Sequence, residues 1–234
     1  MTSAMLEIRG LNAWYGESHV LHGVDLVVNE GETVTVLGRN GAGKTTALKS
    51  VVGLVRQRTG SITFKGKDLM GLPLHHVARE GIGFVPEDRG IYASLTVLEN
   101  LMLPPQFTAG GLSIKDIFKL FPNLEERKSS QGTKLSGGEQ QMLAIARILR
   151  TGARFLILDE PTEGLSPVIV QRIGEILKTL RDDGMTVLLV EQNFRFAKRL
   201  ADRFYVMEDG LISETFSATE LDSRMGALQT MLGV

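Results

Sequence analysis

Eight residues, Gly38-Arg39-Asn40-Gly41-Ala42-Gly43-Lys44-Thr45, have the spacing G-x-x-x-x-G-K-[ST]. A run of that kind can hold a triphosphate. Glycines permit a tight turn that aims consecutive backbone N–H groups at one anion and lets its oxygens approach the main chain. A helix opening at Lys44 adds about half a positive charge at its N-terminus. Lys44 is placed to reach the β- and γ-phosphates, and Thr45 to put its hydroxyl on Mg²⁺.

Two further groups complement this loop. Phe155-Leu156-Ile157-Leu158-Asp159-Glu160 is an apolar strand ending in two acids. Adjacent strand residues point to opposite faces, so the pair divides its labour. Asp159 can hold Mg²⁺ beside Thr45, and Glu160 can orient and deprotonate an attacking water. The third group is Leu135-Ser136-Gly137-Gly138-Glu139. Ser136 and Glu139 form an S-x-x-E capping box for a helix, and the glycines leave that helix N-terminus bare for a second anion.

These groups need a scaffold. Thr33–Leu37, Ser61–Phe64, Gly83–Val85, Phe155–Leu158 and Thr186–Val190 are short runs of strand length, suited to a mostly parallel sheet covered on both faces. Helical patterns lie between them, at Lys44–Gly53, Gln140–Arg150 and Val168–Asp183. The alternation predicts an α/β fold. Leu6–Leu11 and Val24–Val28 have no helix between them, which predicts an antiparallel N-terminal edge. Ile91 to Thr133 holds no good strand, and helical pieces at Thr96–Met102 and Ser113–Phe121 predict a helical insertion. The tail from Thr219 to Val234 is expected to form one or two short helices.

Composition sets the outer limits. The chain has 234 residues, no cysteine and a formal net charge of −1. Disulfides, thiolate metal sites and cysteine nucleophiles are excluded, and whole-surface nucleic-acid binding is disfavoured. No apolar run approaches the ~18 residues of a bilayer span. The start, MTSAMLEIRG, lacks the layout of a signal peptide, so a cytoplasmic location is expected.

The phosphate loop, the Leu-Ser-Gly-Gly run and the Leu-Asp-Glu strand end, in that order, resemble the ATP-binding cassette (ABC) ATPases over nearly the whole chain. The resemblance implies a P-loop NTPase fold with one nucleotide-binding domain over 1–234. Its catalytic core would take about 1–86 and 152–234, and its helical subdomain about 87–151. It implies that ATP lies on Gly38, Arg39, Asn40, Gly41, Ala42, Gly43, Lys44, Thr45 and Thr46, with Tyr15 stacked on adenine. It also implies that two cassettes meet head to tail, so that Ser136, Gly137 and Gly138 cap the partner's ATP in trans. Glu163-Gly164-Leu165-Ser166-Pro167, Val190-Glu191-Gln192-Asn193, Val85-Pro86-Glu87 and Ser136–Ile145 look like the smaller ATPase subunit of branched-chain amino-acid importers. Such a subunit would sit on the cytoplasmic face of the membrane against transmembrane permease subunits. It would serve a substrate-binding protein indirectly, and would bind no nucleic acid.

Three positions depart from the wider family. Glu87 stands where most cassettes have a glutamine that contacts Mg²⁺ and the attacking water. Gln192 stands where most have a switch histidine at the γ-phosphate, and Ser166 where most have aspartate. The importer-type subunit shares the first two. The expected catalytic set is therefore Glu160, Lys44, Gln192 and Glu87, with Thr45, Asp159 and Glu87 on Mg²⁺. A glutamine can donate a hydrogen bond to phosphate but cannot become cationic. Two other readings are a soluble ABC ATPase without a transporter and a low-turnover regulatory module.

Overall fold

The computed structural model describes residues 3–232, and the last two residues of the expected C-terminal helix lie outside them. The N-terminal strands β1 (Ala4–Tyr15) and β2 (Ser18–Asn29) pair antiparallel, as expected. They do not form an edge of the main sheet, however. With β4 (Gln57–Phe64) and the two-residue β5 (Lys67–Asp68) they build a separate antiparallel sheet, β2-β1-β4-β5. The Ser61–Phe64 segment therefore leaves the parallel sheet expected for it. Its residues explain why: Ile62 and Phe64 are buried while Ser61 and Thr63 are only half-buried. That alternation belongs to a sheet with one covered face.

The main sheet also contains β3 (Thr33–Leu37), β6 (Ile82–Val85), β7 (Phe155–Asp159), β8 (Thr186–Glu191), β9 (Arg203–Glu208) and β10 (Leu211–Ser217). Its order is β10-β9-β3-β8-β7-β6. Every pairing is parallel except β10 with β9, so the antiparallel edge lies at the C-terminal end of the chain. All residues of β3, β7 and β8 are buried. Successive side chains go to opposite faces. Phe155 and Ile157 join Leu188 and Val190 in the core shared with the antiparallel sheet and α1 (Lys44–Val51). Leu156 and Leu158 join Val187 and Leu189 in the core under the helices.

The stretch between β6 and β7 is helical, and its only β pairing among the described residues is an isolated Thr96–Gln131 bridge. α2 (Leu74–Arg79) precedes β6, and the stretch after β6 contains α3 (Val97–Met102), α4 (Ile114–Leu120), α5 (Pro122–Glu126) and α6 (Gly137–Arg150). The starts of these helices follow local rules. Thr96 with Glu99 and Ser136 with Glu139 make reciprocal capping boxes, and Ser113 accepts from the Asp116 N–H. α7 (Pro167–Asp182) covers the same face of the sheet, its Ile173, Ile176 and Leu177 in the same core. No helix of the described residues is long and apolar enough to cross a membrane.

The β9–β10 hairpin was not anticipated. Its two-residue turn, Asp209-Gly210, has positive φ at both positions (44° and 75°), the type I′ geometry that an Asp-Gly pair between alternating apolar residues favours. The hairpin buttresses the phosphate loop. Gly210 N–H donates to the Ala42 carbonyl (2.9 Å), and His22 N–H donates to the Gly210 carbonyl (2.9 Å).

Candidate nucleotide site

The loop after β3 turns sharply into α1. Gly43, in the left-handed region at φ 104°, is the N-cap. Gly38 is required by close approach: a Cβ there would lie 2.4 Å from the Met207 carbonyl oxygen on β9. Backbone cannot yield by that much, so any larger residue must displace the loop. Lys44 is buried, and its Nζ donates to the carbonyls of Gly38 (2.9 Å) and Arg39 (3.0 Å). It also lies 3.2 Å from Glu160 Oε1, with side-chain exposures of 3% and 10%.

Glu160 follows the last residue of β7, and its backbone is left-handed at φ 46°. That conformation costs roughly 1–2 kcal/mol for a residue with a Cβ. It breaks the strand alternation, so Glu160 turns to meet Lys44 and Gln192 while Asp159 stays in strand register. Glu160 Oε2 accepts from Gln192 Nε2 at 2.9 Å, and the same amide hydrogen-bonds Asn40 Oδ1. Gln192, from the loop after β8, thus joins the second acid to the phosphate loop.

Asp159 is 1% exposed. Its Oδ1 accepts from Thr45 Oγ1 at 2.9 Å, and its buried Oδ2 has no protein hydrogen bond. Burial pushes its pKa up to about 6; the Thr45 bond opposes the rise, and the charges of Glu160 and Glu87 add to it. An orphaned, buried carboxylate oxygen beside a threonine hydroxyl and further acids is a hard-oxygen donor set that fits Mg²⁺. Thr45, Asp159 and Glu87 are the residues that would hold it. No cluster of three His, Cys, Asp or Glu at metal-binding distance occurs among the described residues.

Lys44, Thr45, Glu87 and Glu160 border a cleft of about 470 Å³ that is also lined by Tyr15, Val20, Asn40, Gly41, Gly43, Thr46 and Glu163. Tyr15, at the end of β1, is 50% exposed and free to present a ring face. Its neighbour Trp14 is half-buried and stacks on His19 with centroids 4.4 Å apart. Ser136, Gly137 and Gly138 are not among the residues lining the cleft. They open α6, where Ser136 is exposed and its Oγ accepts from the Glu139 N–H (3.3 Å) and donates to Glu139 Oε2 (2.8 Å). Ser166 caps α7 without a side-chain hydrogen bond.

Two residues outside the expected set bear on the site. Glu191, the last residue of β8, is 2% exposed. It accepts from Thr162 Oγ1 (2.7 Å), Thr162 N–H (3.2 Å) and Asn193 N–H (3.1 Å). It therefore ties the loop after Glu160 to the loop carrying Gln192. Burial raises its pKa to about 7, against the pull of these bonds. Arg89, from the Glu87 loop, reaches α6 through Gln140 (2.7 Å). The sequence signal for Glu191 was a charged residue ending an otherwise apolar strand; Arg89 carried none.

The comparisons agree with this geometry. A family model described as "ABC transporter" matches residues 21–163. The high-affinity branched-chain amino acid transport ATP-binding protein BraG of Pseudomonas aeruginosa is 44% identical over 211 residues, which are 89% of this chain and 91% of that protein. The lipopolysaccharide export system ATP-binding protein LptB of Haemophilus influenzae is 38% identical over 91% of this chain and 90% of its own length. Among solved structures, the dimeric ADP- and phosphate-bound cassette MJ0796 superposes with a TM-score of 0.81 at 27% identity, over 92% of this chain and 99% of that one. Phosphate loop, paired acids, fold and relatives converge: the chain belongs to the ABC transporter ATP-binding family, whose members hydrolyse ATP.

Proposed function

We propose that this chain is the Mg-ATP-hydrolysing subunit of an importer for branched-chain amino acids or related small polar or aromatic solutes. In that reading Tyr15 stacks on adenine, and residues 38–46 hold the phosphates. Lys44 neutralises the β- and γ-phosphates, while Gln192 orients the γ-phosphate. Glu160, held between Lys44 and Gln192, removes the proton from the attacking water. A Mg²⁺ held by Thr45, Asp159 and Glu87 would supply charge neutralisation for the phosphates. The observation carrying the paired-cassette mechanism is the turn at Ser136, whose exposed side chain lies outside the chain's own cleft. A second cassette, identical or paralogous, would close on it, and each ATP would favour closure by the contacts it makes only in the closed state.

The helical subdomain, about 87–151, would move against the core formed by about 1–86 and 152–234. Beside the Glu87 loop lies a groove of about 820 Å³ lined by Leu54, Leu74, Phe84 and Pro86 together with Glu87 and Asp159. Leu54 and Leu74 are nearly half exposed. A cytoplasmic helix of a transmembrane permease subunit would dock there and place the chain on the inner face of the membrane. The importer reading also implies a substrate-binding protein outside the membrane. It is supported by the 44% identity to BraG; the 38% identity to LptB supports a second reading, service in an export machine.

Glu160→Gln tests the mechanism. A general base contributes ~10²–10⁴-fold, so phosphate release should fall by that much while ATP binding persists. Near-normal turnover removes Glu160 from its role. Deleting the gene tests the cargo: uptake of labelled leucine or isoleucine should drop, and unchanged uptake with a defective cell envelope favours the export reading.

A further inference from the structure

We infer that Arg89 is a positioning residue that couples the two halves of the nucleotide machinery: it ties the Glu87 loop, which borders this chain's own cleft, to the Ser136 turn offered to the partner. The inference rests on the paired-cassette reading above and adds to it a named residue and a pathway.

Arg89 has a left-handed backbone, φ 68°, and its N–H closes a turn onto the Pro86 carbonyl at 2.9 Å. This turn directs the side chain away from the cleft and onto α6. Nη1 donates to Gln140 Oε1 at 2.7 Å. The guanidinium also lies against the backbone of Gly137, where a Cβ would come 3.2 Å from Nη2 and 3.5 Å from Cζ. A cation over the first turn of a helix opposes the helix dipole, so charge compensation by the helix does not explain it. Contact with Gln140 does. The Gln140 amide donates onward to the carbonyls of Gly132 (3.1 Å) and Leu135 (3.3 Å), and Leu135 directly precedes Ser136. The path from the Glu87 loop thus runs through the Arg89 and Gln140 side chains and ends at the Leu135 carbonyl, one residue before Ser136.

A second grip on the same loop makes it act as a unit. Arg147 Nη1 donates to the Gly90 carbonyl at 2.5 Å, and its guanidinium sits 4.9 Å from the Tyr92 ring centroid. Gln140 and Arg147 are seven residues apart, two helical turns, so one face of α6 holds the loop at both points. Arg147 anchors the loop along the helix, whereas Arg89 reaches the turn that meets the partner. When Glu87 shifts on engaging Mg-ATP, Arg89 and Gln140 carry that shift to Ser136. Occupancy of one cleft thereby sets the amide cluster that the other cleft receives.

The experiment uses the whole chain with Glu160→Gln to retain ATP. Dimerisation with Mg-ATP is followed by sedimentation, nucleotide affinity of the single chain by titration of a fluorescent ATP analogue, and cooperativity by the Hill coefficient of the parent chain's turnover. Adding Arg89→Ala should raise the concentration for half-dimerisation tenfold or more and bring the Hill coefficient to about 1, while the single chain binds nucleotide within twofold of normal. Arg89→Lys, which keeps the charge but not the planar fork, should recover only part. Gln140→Ala should reproduce the Arg89→Ala effect, and the double substitution should add little, because both break one path. Unchanged dimerisation and Hill coefficient in Arg89→Ala overturn the proposal, as does full additivity with Gln140→Ala. Weakened nucleotide binding by the single chain would also overturn it, since that marks local damage. If the Glu160→Gln chain itself never dimerises with Mg-ATP, the paired-cassette reading fails instead.

Discussion

Two glycine-lined turns open two helices in this chain, and they differ in what surrounds them. The turn into α1 is furnished from within: Lys44 is buried and paired with Glu160, Thr45 reaches Asp159, and Gln192 links Glu160 to Asn40. The turn into α6 is furnished with little beyond its own cap. Ser136 is exposed, and its partner Glu139 lies one turn on. Both open a helix with backbone N–H groups suited to an anion, but only the first has a base and a metal-binding set within reach; the cation at the second, Arg89, is engaged with Gln140. On the paired-cassette proposal the first is a site, whereas the second is half of one.

The largest expected effect follows from that contrast. Lys44→Ala leaves the Glu160 carboxylate without its cation and removes the charge from the phosphate side. Turnover should fall ~10²–10³-fold, as for loss of one electrostatic stabiliser, and the isolated chain should lose nucleotide affinity. A phosphate-release assay with a nucleotide titration checks both, and retained affinity would break the claim that the α1 turn is complete by itself. Ser136→Ala should act more gently and elsewhere. Loss of the cap costs the helix ~1 kcal/mol, and turnover should drop several-fold while single-chain affinity stays put. Equal loss in both measurements would erase the distinction between the two turns.

A third effect, on stability and not on turnover, concerns the buried carboxyl beneath the first turn. Glu191 has its pKa raised to about 7 from 4.5. The folded state therefore binds its proton more tightly than the unfolded state. Stability from this group is full below about pH 4.5 and is lost as pH rises through about 7, amounting to at most about 3 kcal/mol. Glu191→Gln should remove that slope. The difference in unfolding free energy between variant and parent should move in the variant's favour from pH 5 to pH 8. A pH-independent difference would show that Glu191 does not titrate in this window.

Much of the chemistry was legible in order and spacing. The phosphate loop, the Asp159-Glu160 strand end and the capping box at Ser136 are local patterns, and each forms where its residues stand. Ser61–Phe64 is too short a run to display the alternation that places it in the antiparallel sheet. The β9–β10 hairpin was overlooked although Asp209-Gly210 carries a turn signal. Glu191 with Thr162, and Arg89 with Gln140, are contacts across 29 and 51 residues, and no local pattern announces them.

The sequence by itself determined which glycine-rich turns open a helix, where helices begin, and which acids end a strand, because those depend on neighbours within a few residues. Only the tertiary structure decided that the first strands close a sheet of their own, that Glu160 swings out of register to meet Lys44, and that the Ser136 turn stands apart from the chain's own cleft. Each of these turns on which distant surfaces come into contact, and burial of apolar area selects among pairings that local propensity leaves open.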